Sequence, residues 1–107
     1  MTNSILFKVT SKLGRRIRIT KTYWEYITTI KHPSLRGLEA KVKEALTNPI
    51  EIRKSPRDPK VYLYYIPHKD KLICVVVKHL NEEGYIITAY LTRRKAPGEI
   101  IWQKQQK

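Results

Sequence analysis

The chain has 107 residues, 22 of them Lys or Arg against 9 Asp or Glu, and so a net charge of +13. One domain spanning residues 1–107 is expected, since two halves would each be too small to bury a core, and a hydrophobic share of 41% excludes a disordered basic tail. No run approaches the roughly 18 apolar residues of a membrane-spanning helix. Met1-Thr2-Asn3-Ser4 shows no leader pattern, and the single Cys74 makes neither an internal disulfide nor a cysteine zinc site. A soluble, cytoplasmic α+β protein with no metal and no cofactor is therefore expected.

Residues 5–10 read as a strand, and Arg16-Ile17-Arg18-Ile19-Thr20 alternates like a half-buried one. Lys12-Leu13-Gly14-Arg15 between them is turn-like, which predicts an N-terminal hairpin. Thr20 or Thr22 caps a helix running to about Lys31, with Trp24, Ile27 and Ile30 as its apolar face. Pro33 ends it by disfavouring helical geometry at His32. Ser34 caps a second helix in which Leu35, Leu38, Val42, Ala45 and Leu46 recur at helical spacing until Asn48-Pro49.

From Ile50 onward the period changes to about two. Ile50-Glu51-Ile52-Arg53 is a short strand, residues 55–59 a loop, residues 61–66 a strand and residues 67–71 a turn. Residues 72–77 are apolar at every position, as in a central strand covered on both faces. Asn81-Glu82-Glu83-Gly84 reads as a hairpin turn, residues 85–92 as the returning strand, and Glu99-Ile100-Ile101-Trp102 as a last short segment. Helices segregated from a meander predict an α+β fold. Two helices would cover one face of a four- to six-stranded antiparallel sheet, leaving the other free for polar chemistry.

The positive field calls for a polyanionic partner. Lys and Arg are spread along the chain rather than gathered on one amphipathic helix, which favours nucleic acid over a membrane surface; the plainer alternative is that the charge only maintains solubility. The acids are scattered, their only adjacent pair being Glu82-Glu83, and neither a nucleophile elbow nor a Gly-rich phosphate loop is present. Any catalysis on a polyanion then falls to His, Lys, Arg, Ser, Thr and Tyr. Such a set suits RNA, whose 2′-hydroxyl is an internal nucleophile needing only a base, a cationic clamp on the phosphate and oriented oxygens.

The run Trp24-Glu25-Tyr26-Ile27, Ile30-Lys31-His32-Pro33, Val42 to Leu46 and Asn48-Pro49-Ile50 continues through Tyr64-Tyr65, Val75-Val76-Val77-Lys78 and Ile86-Ile87-Thr88-Ala89-Tyr90. From about Tyr23 to Trp102 it resembles the phage-associated branch of the barnase–EndoU–colicin–RelE (BECR) nuclease superfamily. The resemblance implies two helices on a four-stranded antiparallel sheet, with the N-terminal hairpin as an addition. It also implies metal-independent RNase activity, often as a toxin whose acidic antitoxin would cover the basic face. On it, His32 is the general base or acid, Thr88 orients an oxygen and Tyr90 offers a stacking surface. Arg53, turned away from the core by alternation, and Lys78, at the end of the apolar strand, are taken to hold the phosphate.

Each of these residues has a plainer role. His32 would sit at the carbonyl end of a helix dipole, Arg53 and Lys78 would be solvated strand cations, and Thr88 and Tyr90 would be ordinary strand formers. Thr88 is expected to share a face with Ile86 and Tyr90. Tyr64 and Tyr65 point to opposite faces, so one of them, Tyr65, is taken to line the site. Arg57, Lys60, Arg93, Arg94 and Lys95 are either phosphate contacts or surface charges. His68 and His79 are expected at exposed turn or strand-end positions, and Cys74 in the core. The alternatives to an endoribonuclease are a non-catalytic nucleic-acid-binding module and a domain that forms a homodimer through exposed Tyr and Val.

Overall fold

A computed structural model describes residues 4–105; Met1-Thr2-Asn3, part of the stretch inspected for a leader, lie outside the described residues. β1 (Ile5–Thr10) and β2 (Arg16–Thr20) form the N-terminal hairpin. α1 (Lys21–Tyr26) follows without a break, because Thr20 is both the last residue of β2 and the helix cap, its hydroxyl accepting the Tyr23 N–H at 3.1 Å. The helix widens into a π-turn over Ile27–Lys31, and a 3-10 turn at Pro33–Leu35 leads to α2 (Glu39–Thr47). Then come β3 (Glu51–Lys54), β4 (Val61–His68), β5 (Lys71–His79), β6 (Glu83–Thr92) and β7 (Glu99–Gln103).

The strands form one sheet in the order β1-β2-β6-β5-β4-β3-β7, with β5 at its centre. The fold is α+β, but the sheet has seven strands where four to six were expected, and it is not wholly antiparallel. β2 runs parallel to β6 through Arg16↔Glu83, Ile17↔Gly84 and Arg18↔Tyr85. Both differences arise at the flanks of the β3–β6 meander, where the hairpin covers part of β6 and β7 folds back on β3. Gly84 lies in β6 rather than in a turn, and permits the close approach. A Cβ there would stand 2.5 Å from the Lys78 carbonyl oxygen and 2.9 Å from the Ile17 side chain.

The helices pack on one face of the sheet, where Trp24, Ile27, Leu35, Val42 and Leu46 bury against Ile52, Tyr64, Ile73, Val75 and Ile86. Each such side chain contributes roughly 1.5–3 kcal/mol through removal from water. Ile30 is not part of that face and is 67% exposed. Six residues advance a helix about 600°, which leaves Ile30 some 120° from Trp24. Thr28 is buried in its place, its hydroxyl donating to the Trp24 carbonyl. Nor does Ser34 cap the second helix. Gly37, in the left-handed region at φ +83°, separates the 3-10 turn from α2, which starts at Glu39 with no side-chain cap. On the opposite sheet face a smaller cluster joins Leu63, Tyr65 and Cys74, so β5 is covered on that side only around Cys74.

Candidate functional site

Register decides which side chains share the open face. Arg53 lies opposite Leu63, Leu63 opposite Val76, and Val76 opposite Thr88, so Arg53 and Thr88 stand in one row across β3, β4, β5 and β6. The neighbouring row is Glu51, Tyr65, Cys74 and Tyr90, and a third carries Val61, Lys78 and Tyr85. Arg53, Tyr65, Lys78, Thr88 and Tyr90 therefore all belong to the face that the helices leave free. Tyr64 turns the other way, into the core, as alternation requires.

Thr88 does not share a face with Ile86. Val77 opposes Ile86 while Val76 opposes Thr88, so Ile87 is an extra residue, a β-bulge, and alternation changes sides there. Ile86 and Ala89 consequently point into the helix-covered core. The Tyr23 hydroxyl donates to the carbonyl of Ile87 and ties α1 to the bulge. The Thr88 hydroxyl oxygen is covered and has no hydrogen-bond partner, so the fold itself does not use its polarity.

His32 reaches this face around the β6 edge. The π-turn ends with the His32 N–H donating to the Ile27 carbonyl at 2.6 Å, and Pro33 stops the helix there. The imidazole then lies against Tyr90, ring centroids 5.8 Å apart and inclined at 39°. Burial, reinforced by the Lys31 charge, lowers its pKa below 6.5, which favours the neutral ring. Burial raises the Tyr90 hydroxyl out of the physiological range and the Tyr65 hydroxyl to about 12, so both stay protonated.

The cations of the site are not free. Arg53 donates through Nε to Glu51 and through a terminal nitrogen to the Ala96 carbonyl at 2.8 Å. Lys95 and Gln103 donate to the other Glu51 oxygen at 2.6 and 3.1 Å. Glu51 is only 1% exposed. Burial alone would raise its pKa, but the hydrogen bonds from Lys95 and Arg53 prevail and hold the carboxyl below its ordinary range. The group of two cations and one carboxylate keeps a net positive charge. Lys78 pairs with Asp58 at 3.2 Å, both partners about one-third exposed, and Asp58 also accepts the Lys60 N–H. That backbone bond, followed by the Lys78 contact, depresses the Asp58 pKa.

Other expected contacts lie away from this centre. Lys60 lines a separate cavity of about 260 Å³ with Arg15, Tyr62 and His79. Arg57 and Arg94 are exposed in loops, and Arg93 makes a solvent-exposed pair with Asp70 at 3.4 Å. His79 is buried rather than exposed: it stacks on Tyr62 at 4.0 Å and meets the Tyr64 hydroxyl at 3.0 Å. Tyr64 donates its own proton to Ser11 at 2.9 Å, which makes His79 Nε2 the donor in that pair.

Two of these positions had a readable signal. His79 has the same parity as Ile73, Val75 and Val77, and Glu51 the same parity as Arg53, which places an acid beside the candidate cation. Among the described residues no three His, Cys, Asp or Glu side chains converge to hold a metal ion. No helix among them is long and apolar enough to cross a membrane. No family model, curated protein or solved structure matches the chain.

Proposed function

We propose that the chain is a metal-independent endoribonuclease that cleaves RNA through the neighbouring 2′-oxygen, on a BECR-like arrangement of helices and sheet. The observation that carries this reading is the meeting of His32 with Tyr90 at the edge of a face that also carries Lys78 and Arg53. Neutral His32 takes the 2′-hydroxyl proton, the 2′-oxygen bonds to phosphorus, and the 5′-oxygen leaves with a proton from water. The products are a 2′,3′-cyclic phosphate and a 5′-hydroxyl. Lys78 can exchange Asp58 for a phosphate oxygen at little cost, since pairs this exposed are worth about 0–1 kcal/mol. Arg53, held by Glu51 and the Ala96 carbonyl, is a fixed positive edge for a different phosphate of the same RNA, because it stands three strands from Thr88 while Lys78 lies in the row of Tyr85. Tyr90 supplies aromatic surface for a base. Tyr65 is fully buried, its hydroxyl accepting the Ala96 N–H at 2.8 Å, and the Thr88 hydroxyl oxygen is covered, so neither meets the substrate directly. An acidic protein, as an antitoxin would be, fits the same basic face.

The test is incubation with end-labelled single-stranded RNA in excess EDTA. Cyclic-phosphate ends that disappear in His32→Ala, with RNA binding retained, support the enzyme. Binding without cleavage by the wild type assigns the face to a non-catalytic nucleic-acid module, which the engagement of Arg53 and Lys78 in ion pairs would suit. No binding at all, together with a concentration-dependent dimer, assigns it to self-association.

A further inference from the structure

The N-terminal hairpin, which lies outside the resemblance, builds a second feature on the same flank of β6. β2 and β6 pair only as far as Arg18↔Tyr85. Beyond that point β2 passes directly into α1 while β6 continues to Thr92, so the two strands fork under the first helix. The fork holds a cavity of about 640 Å³ with mainly apolar walls, among them Ile19, Tyr23, Tyr26 and Tyr85, with Arg18 and Thr20 beside them. That volume lies within the range of small-molecule sites. Tyr23 is fixed by its bond to the Ile87 carbonyl, and its ring lies 5.9 Å from that of Tyr26. Tyr26 and Tyr85 leave 47% and 39% of their surface in solvent, a large aromatic exposure gathered at one opening.

Charge indicates what enters. The register aligns Lys8, Arg18, Tyr85 and Lys78 across four strands, so cations flank the Tyr85 position on both sides. Glu83 engages Arg18 at 3.1 Å and Arg16 at 3.3 Å, but these pairs are substantially exposed, and a phosphate can displace the carboxylate. An aromatic cleft beside a row of cations is the composition that binds unpaired nucleotides: the rings stack with bases and the cations follow the backbone. Tyr85 and Tyr90 lie on one strand, separated by roughly 15 Å of extended chain. An RNA strand crossing the His32–Tyr90 centre thus reaches the fork within a few nucleotides.

We propose that the fork between β2, β6 and α1 is a nucleobase subsite. A base upstream or downstream of the cleaved bond stacks on Tyr85 and Tyr26, with its phosphate on Arg18 and Lys8. This rests on the RNA reading of the open face and adds to it a place where substrate sequence and length are felt.

The experiment measures intrinsic-fluorescence titration with single-stranded DNA of two and of five nucleotides, which lacks the 2′-hydroxyl and is not cut. Parallel steady-state cleavage uses RNA of the same lengths. Tyr85→Ala and Tyr26→Ala should each weaken pentanucleotide binding by about tenfold, the usual loss for one stacked base. Dinucleotide binding should be unchanged, and Tyr85→Phe should behave as wild type. In cleavage the loss should appear in KM for the pentanucleotide with kcat retained. Equal pentanucleotide affinity in wild type and both alanine variants, each shown folded by its thermal transition, overturns the subsite. So does a fork filled by a second copy, seen as a dimer that Tyr85→Ala dissociates. If the DNA titrations depend on Tyr85 while RNA is never cut, the subsite stands and the enzymatic reading fails. If RNA is cut and the tyrosine variants are indifferent, the reverse holds.

Discussion

A histidine used as a base is active only when neutral, and burial together with Lys31 moves His32 in that direction. Cleavage limited by this base should therefore rise with pH through a value below the ordinary 6.5 and then level off. A pH–rate profile still climbing tenfold per unit above pH 7 would assign the proton transfer to another group. His79 carries a different consequence, because it takes no part in the open face. Desolvation, helped by Arg15, lowers its pKa to about 4, against 6.5 for the unfolded chain. The unfolded state thus binds the proton first. Stability from neutral His79 is complete above pH 6.5 and is lost as pH falls through the window to about 4, amounting to roughly 3 kcal/mol at the acid end. His32 contributes in the same sense, whereas the depressed carboxylates of Glu51, Asp58 and Glu83 act at the lower pH where they take up protons. Urea midpoints should fall between pH 6.5 and 4 in the wild type. They should fall less in His79→Gln, whose amide can still donate to Tyr64. Equal slopes in the two proteins would show that the imidazole is not buried neutral.

At the scale of elements, the pairing of β6 with β5 depends on a glycine, which also leaves room for the Ile17 side chain of the hairpin. Placing a methyl group at Gly84 would drive it into the backbone oxygen of Lys78, which cannot swing aside as a side-chain end can. Gly84→Ala should cost about 1–3 kcal/mol, the range for overpacking, and should raise amide exchange at the end of the β5–β6 pair near Lys78 more than in β3. An unchanged melting temperature would mean that this end of the pair is already loosely held. Most elements were legible beforehand because their residues obey one period: residues 16–20 alternate, and Val42, Ala45 and Leu46 recur at helical spacing. What escaped was non-periodic. The Ile87 bulge reverses the faces of Thr88 and Ile86 through a two-against-one pairing with β5, which β6 alone does not encode. The parallel joining of β2 to β6 is a contact across 65 or more residues, visible only once both strands have a common core to cover. Of the candidate site, alternation already turned Arg53 away from the core and put Tyr64 and Tyr65 on opposite faces. The pairing of Arg53 with Glu51, and the passage of His32 around the β6 edge, required the third dimension.

Over the whole molecule the acids are spent locally. Glu44, Glu51, Asp58, Asp70, Glu82 and Glu83 each pair with a Lys or Arg, so six of the nine acids already neutralise cations, and the large positive excess stays with the remaining basic residues. On the open face that excess is arranged rather than diffuse: Lys8, Arg16 and Arg18 lie at one end of the rows and Lys78 farther in, around Tyr85. A strand bound along these rows would release counterions from about four phosphates, which corresponds to a log–log salt slope of roughly −3 for a single strand. Single-stranded RNA and DNA of equal length should show nearly the same slope, because phosphates and base faces are common to both, while only RNA is cut. Lys8→Met and Arg18→Met should each reduce the slope by about 0.7 without altering the cleavage step in saturating RNA. Lys41→Met, on α2 across the sheet from the rows, should leave it unchanged. A slope near zero, or one that Lys41 affects as much as Arg18, would mean that the charge acts as a general cloud and that the open face does not define the path of the strand.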